Sequence, residues 1–268
     1  MFFYRTTLTP CGTAGYGLGM WSQPASLCCL LVIWFSLTIL FKSIPEIDKL
    51  FSGLFFAASN CIEAVIARTC GHFPFGSIPS LRMLRSILQY LPIIGVIVVI
   101  GIMLRDCASG LRWSHERIRI STIALAAFAL GPGLLVNGYM KSFIGRPRPA
   151  DTLLFGGEHA FVAAGEWSQA CFYNCSFVSG EAAGMAWIIC LLPLWPYRDR
   201  HRPIFPMAAI ITATALLRVA FGRHYLSDVV LGALSTLVVF SAIACLCEGL
   251  TERRERLHKQ LAAKAAAL

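Results

Sequence analysis

The chain has 268 residues, of which 57% are hydrophobic and only 14% charged, with a formal net charge of +9. Typical globular domains carry roughly 25% charged residues, so this composition excludes a disordered chain and a nucleic-acid binder built on a solvated basic face. An integral membrane protein remains, in which lysine and arginine collect in cytoplasmic loops and beside anionic headgroups.

In chain order, six apolar runs approach the roughly twenty residues that a helix needs to cross a bilayer: 26–41, 87–104, 118–140, 182–197, 203–221 and 226–247. The first has no basic leader and outlasts the apolar core of a signal peptide, so it reads as a retained anchor. Between the first two runs, 44–58 alternates apolar and charged residues at helical spacing, which predicts a helix lying on the membrane surface with no function of its own. The expected fold is all-α: a polytopic membrane protein with six transmembrane helices and a surface amphipathic helix after the first span. It forms one domain over 1–268, with a core at 87–247 and cytoplasmic tails at 1–25 and 248–268.

Orientation follows from the distribution of Lys and Arg. A cytoplasmic N-terminus puts Arg5, Arg105, Arg112, Arg117, Arg119, Arg198, Arg200, Arg202 and the basic tail inside. Half of the external basic residues then fall in two segments with their own chemistry; Lys42, Lys49, Arg68, Arg82 and Arg85 run against the trend. No internal repeat of the transporter kind is present. Of the eleven cysteines, Cys28, Cys29, Cys190, Cys245 and Cys247 lie in apolar runs, where a thiol behaves as a small hydrophobe. Cys61 with Cys70, and Cys171 with Cys175, fall in external loops, where either pair can oxidise.

Three polar segments punctuate this apolar chain, and the topology brings all of them to one membrane face: "KSFIGRPRP" after the third run, "SFVSGEAAG" opening the fourth, and "RVAFGRHYLSD" between the fifth and sixth. Ionisable residues at such places cost free energy and mark sites. Arg148 and Arg218 offer planar forks of donors to phosphate oxygens, and Lys141 a point charge. Ser179 and Gly180 stand where a helix begins, so free N–H groups there point at an anion. His224 and Asp228 are four apart, on one face of a helix. The carboxylate there can accept the Nδ1 proton and leave Nε2 as a nucleophile or base.

The pattern Lys141-x6-Arg148-Pro149, then Ser179-Gly180, then Arg218-x5-His224-x3-Asp228 resembles the signature of the type 2 phosphatidic acid phosphatase superfamily, which includes the vanadium haloperoxidases. The resemblance implies that His224 attacks phosphorus to form a phosphohistidine while Asp228 orients it. Lys141, Arg148, Ser179, Gly180 and Arg218 would then bind the phosphoryl oxygens. It implies no metal and no other cofactor, since three cations stand where a metal would act; His159, His201 and His258 are isolated along the chain.

Two positions depart from the family pattern. Leu217 replaces the usual serine before Arg218, and Glu181 replaces the histidine that protonates the leaving oxygen. Glu181 then serves as the acid, or the leaving group needs less help. Arg146 and Arg223 match no family position and read as snorkelling to headgroups, and Trp21, Trp34, Trp187 and Trp195 as interfacial or packing residues.

The function expected is hydrolysis of a lipid phosphomonoester or diphosphate at the periplasmic face of a bacterial inner membrane. Its partners are the bilayer and a phosphorylated lipid, with no nucleic acid. The surface helix, the long second loop and the compact six-span layout look most like the bacterial lipid A phosphatases. Phosphatidylglycerol phosphate and undecaprenyl diphosphate are rival substrates. A lipid phosphotransferase and a non-catalytic lipid-phosphate binder are the alternatives of other classes, and six apolar spans disfavour a haloperoxidase.

Overall fold

The computed structural model describes residues 16–59, 69–111 and 115–266. Its main helices are α1 (Pro24–Ser43), α2 (Glu46–Gly53), α3 (Pro79–Ala108), α4 (Glu116–Phe143), α5 (Gly180–Leu194), α6 (Ile204–Ala220) and α7 (Leu226–Ala266). A two-residue antiparallel ladder, β1 (Ala57–Ala58) with β2 (Gly71–His72), pins the loop between α2 and α3. Arg5, Cys61, Arg68 and Arg112, used above for orientation and pairing, lie outside the described residues.

Helix boundaries follow local chemistry. Pro24 and Pro79 open α1 and α3, where a missing N–H costs nothing. Pro132 interrupts α4, which widens into π-type turns over Ala129–Met140, and Asn137 Nδ2 donates to the Pro132 carbonyl at 2.7 Å. Helix α5 is regular only over Gly180–Ala186, then tightens into a 3-10 stretch over Trp187–Leu194 that contains Pro193.

All six apolar runs are helical, but only α1, α3, α4 and α7 are long and apolar enough to cross a membrane. Helices α5 and α6 are shorter. The expectation of six full spans therefore stands for four. The reason lies in the prolines: Pro193 and Pro196 end α5 early and Pro203 delays the start of α6.

Helix α5 is the hub. Ala182, Ala183, Met185, Ala186 and Trp187 are all buried, and these mostly small side chains let α4, α6 and α7 close around it. Trp187 packs with Ile123, Ala127 and Phe240 and donates from Nε1 to the Ala124 carbonyl at 2.6 Å. Trp34 donates to Ser235 Oγ at 2.9 Å, so both tryptophans serve helix packing. By contrast α1 and α3 bury few residues, as lipid-facing helices do.

The segment after α1 differs from its expected role. A helix forms there, but its polar side faces the protein: Asp48 and Ser52 are fully buried, while Leu50 and Leu54 are 72% and 74% exposed. Leu50 and Leu54 suit contact with lipid, and Asp48 belongs to the site described below. Cys171 and Cys175 form a disulfide with Cα atoms 5.8 Å apart. Cys70 is also disulfide-bonded.

Candidate active site

The three polar segments converge at one end of the bundle. Lys141 closes α4, and the chain then turns at Gly145, whose φ of +73° and close approach to the Ser168 carbonyl exclude a side chain. Arg148 follows in extended conformation. Ser179 caps α5, its Oγ accepting from the Ala182 N–H at 3.3 Å, and its own N–H donates to the Asp228 carbonyl at 2.9 Å. Gly232 of α7 makes that contact possible, because a Cβ there would lie 2.7 Å from the Ser179 carbonyl oxygen. Arg218 ends α6, His224 sits in the turn, and Asp228 lies in the first turn of α7.

His224 is 1% exposed. Its Nδ1 lies 2.8 Å from the Ser176 carbonyl, an acceptor only, so Nδ1 carries the proton. Nε2 is buried with no hydrogen-bond partner. Burial pushes the imidazole pKa down to about 4, outweighing the pull of Asp228, and the charges of Arg218 and Lys141 act in the same direction as burial. At neutral pH the ring is therefore uncharged, with a free lone pair on Nε2.

Asp228 does not take the Nδ1 proton as its spacing predicts. Its Oδ2 stands 3.8 Å from Nδ1, beyond a hydrogen bond. Instead the carboxylate accepts from Ser176 Oγ at 2.5 Å, the Tyr225 N–H at 2.9 Å and Arg146 Nη1 at 2.6 Å. It thus fixes Ser176, whose carbonyl holds the imidazole, and the backbone next to the histidine.

Arg146 overturns a second expectation. It is not at a headgroup but fully buried, because two carboxylates meet it there. Nη2 donates to Asp48 Oδ2 at 2.8 Å, Nη1 to Asp228 and to Ser227 Oγ at 2.8 Å, and Nε to the Val162 carbonyl at 2.8 Å. The guanidinium stacks 4.1 Å from the Tyr225 ring centroid. Asp48 also accepts from the Ser227 N–H and Oγ at 2.8 and 2.5 Å. Helix α2 is thereby tied to the start of α7. No local spacing rule links positions 48, 146 and 228, so sequence reasoning had no signal for this network.

Above it opens a cavity of about 550 Å³ lined by Lys141, Arg148, Glu181 and Arg218 from the expected set, together with Arg82, Arg85 and Arg223. Gly180 lines an adjoining cavity, shared with Lys141 and Glu181. His224, Ser179 and Asp228 are buried and do not line either one. Asn174 steadies two of the cations: its Oδ1 accepts from Lys141 Nζ at 3.4 Å and its carbonyl from Arg148 Nη2 at 2.8 Å. The Cys171–Cys175 disulfide brackets Asn174, which adopts a φ of +50°.

Glu181 is held by two guanidinium groups. Arg85 Nε donates to Oε2 at 3.2 Å, Arg85 Nη2 contacts Oε1, and Arg218 Nη1 lies 3.3 Å from Oε1. Arg85, from the first turns of α3, was missed in the sequence because nothing near it resembles a motif. Among the described residues no group of three or more His, Cys, Asp or Glu side chains is placed to hold a metal ion. The chemistry available is that of an uncharged imidazole nucleophile beside a cluster of fixed cations, which suits a reacting phosphoryl group.

Comparison with known proteins identifies the chain's relatives. The PAP2 superfamily profile matches residues 121–251. The chain is 42% identical to a lipid A 4'-phosphatase of Rhizobium leguminosarum over 82% of this chain and 95% of that protein. A lipid A 4'-phosphatase of Rhizobium etli is 43% identical over 80% of this chain and 84% of its own length. Among solved structures, a PAP2-type phosphatidylglycerolphosphate phosphatase from Bacillus subtilis aligns with a TM-score of 0.47 and 17% identity, covering 85% of this chain and 96% of that one. The chain is a phosphatase and belongs to the PAP2 superfamily.

Proposed function

We propose that the protein removes the 4'-phosphate of a lipid A glycolipid at the periplasmic face of a bacterial inner membrane, with six helices embedded in the bilayer. The observation that carries the chemistry is the unpartnered Nε2 of buried His224, whose ring feels the charges of Arg218 and Lys141, two cations that line the cavity with Arg148. The substrate rests on the names of relatives matched over most of both chains. The Cys171–Cys175 disulfide, adjoining the site, favours an oxidising compartment and hence the periplasm, and the distribution of basic residues points the same way.

In this reading Nε2 attacks phosphorus, forming an N–P bond as the P–O ester bond breaks. Lys141, Arg148, Arg218, the Ser179 hydroxyl and the Gly180 N–H stabilise the charge on the phosphoryl oxygens. Nδ1 keeps its proton throughout, donating it to the Ser176 carbonyl, and Asp228 and Arg146 hold Ser176 in place. Glu181 starts the cycle ion-paired. A monoanionic substrate phosphate that takes over Arg218 gives its proton to the Glu181 carboxylate, still held by Arg85. Glu181 passes it to the departing sugar oxygen as the P–O bond breaks, takes one from the water that hydrolyses the phosphohistidine, and returns that proton to the released phosphate.

The test is phosphate release by purified protein in detergent, with EDTA present, from lipid A, phosphatidylglycerol phosphate and undecaprenyl diphosphate. Fastest release from lipid A, confined to the 4' position and lost in His224→Ala, supports the reading. Preference for another lipid overturns the substrate, and undiminished turnover in His224→Ala overturns the mechanism.

A further inference from the structure

The cavity above His224 holds more positive charge than one phosphate uses. Six cations line it against a single carboxylate, Glu181, among the described residues. Three of them are the phosphoryl ligands, and Arg85 is engaged by Glu181. Arg82 and Arg223 are left, exposed at the cavity wall and with no acidic partner among the described residues. Arg223 is also the charged neighbour that acts most strongly on Arg148, where it adds to the effect of burial in lowering the guanidinium pKa. Such like-charge crowding is unfavourable until an anion enters.

Volume argues alongside charge. At about 550 Å³ the cavity falls within the range of sites that enclose whole small molecules, so it has room for a phosphorylated sugar ring and its substituents as well as the phosphate. The spare guanidinium groups are on its wall, where a substituent of that ring would reach them.

We propose that Arg82 and Arg223 form a second anion subsite, and that the substrate is a phosphorylated glycolipid bearing a further acidic group, carboxylate or phosphate, near the scissile phosphate. This rests on the phosphatase reading above and narrows its substrate class. Each arginine presents a planar fork that suits either group. The subsite acts on binding and selectivity, not on the attack by His224.

The experiment compares two synthetic N-acylated glucosamine 4-phosphate amphiphiles. One carries a neutral methyl ether beside the phosphate and the other a carboxymethyl ether. Both are assayed in neutral detergent, with and without added phosphatidylglycerol, using wild type and the Arg82→Gln/Arg223→Gln double variant. The wild type is expected to favour the acidic substrate. The double variant is expected to lose at least about 10-fold in kcat/KM on that substrate, mainly through KM, and less than about three-fold on the neutral one. Parallel losses on both substrates, no loss on either, or a loss that appears only with phosphatidylglycerol would overturn the subsite, the last assigning the arginines to a separate lipid. If the wild type releases phosphate from neither amphiphile nor from lipid A, the phosphatase reading itself fails and takes this inference with it.

Discussion

Arg146 Nη1 meets Asp228 Oδ1 at 2.6 Å with neither side chain reaching solvent. The same guanidinium pairs with Asp48, so one buried cation joins α2, the loop after α4 and the first turn of α7. Removing one partner of a buried pair costs about 3–5 kcal/mol, because the remaining charge is left uncompensated.

Asp48→Asn leaves Arg146 with one carboxylate and loosens Ser227, and through them the His224 turn. We expect a clear drop in melting temperature in detergent. In the folded fraction kcat should fall on the order of 10²-fold, as for a reacting group displaced by about 1 Å, with KM little changed. Asp48→Glu should recover part of the kcat. Equal losses in kcat and KM would argue against a positioning role.

The depressed pKa of His224 fixes the sign of the pH response. The attacking form is neutral, so protonation of the imidazole should cost activity only as pH drops through about 4, and the ring should not titrate near the ordinary histidine value of about 6.5; the substrate phosphate titrates separately, near about 6. Between the two imidazole values the unfolded chain binds more protons than the folded one, so folding stability should rise with pH across that window. A His224 imidazole that titrates near 6.5 by NMR in the substrate-free protein would contradict the burial argument.

Gly232→Ala tests the contact between α7 and the cap of α5. Its Cβ would meet the Ser179 backbone oxygen at 2.7 Å, and backbone does not yield as a side-chain tip does. A destabilisation of about 1–3 kcal/mol is expected in thermal unfolding, together with a loss of kcat. Unchanged activity would mean that the Ser179 cap tolerates displacement.

Asn174 rests against Lys141 and Arg148 within the loop that Cys171 and Cys175 close. Reduction, or Cys171→Ser/Cys175→Ser, should free that loop and raise KM several-fold while His224 still turns over. A KM unchanged by both treatments would show that the cations hold their positions unaided.

The sequence revealed what depends on short range. Among the described residues the apolar runs mark the long helices, and Lys141, Arg148, Ser179, Arg218, His224 and Asp228 stand out because the members of each motif are close together in the chain. What escaped it depends on tertiary contact. Arg146 reads as snorkelling because it matches no motif position, and Asp48 is one charge among several in a surface helix, yet the two are partners 98 residues apart. Arg85 reaches Glu181 from 96 residues away. His224 Nδ1–H donates to the Ser176 carbonyl rather than to Asp228 because His224 precedes α7, so helical i,i+4 geometry does not apply to it. Proline placement, visible in the sequence, could have shortened the expected fourth and fifth spans.

The central claim, that His224 Nε2 takes the phosphate of a lipid A glycolipid, is met most directly by rapid quench with lipid A labelled in its 4'-phosphate. The account predicts a transient labelled protein whose phosphate is stable in alkali, labile in acid and absent from His224→Ala. Turnover with label on another residue, or with inversion of configuration at an isotopically chiral 4'-phosphate where two displacements require retention, would contradict it.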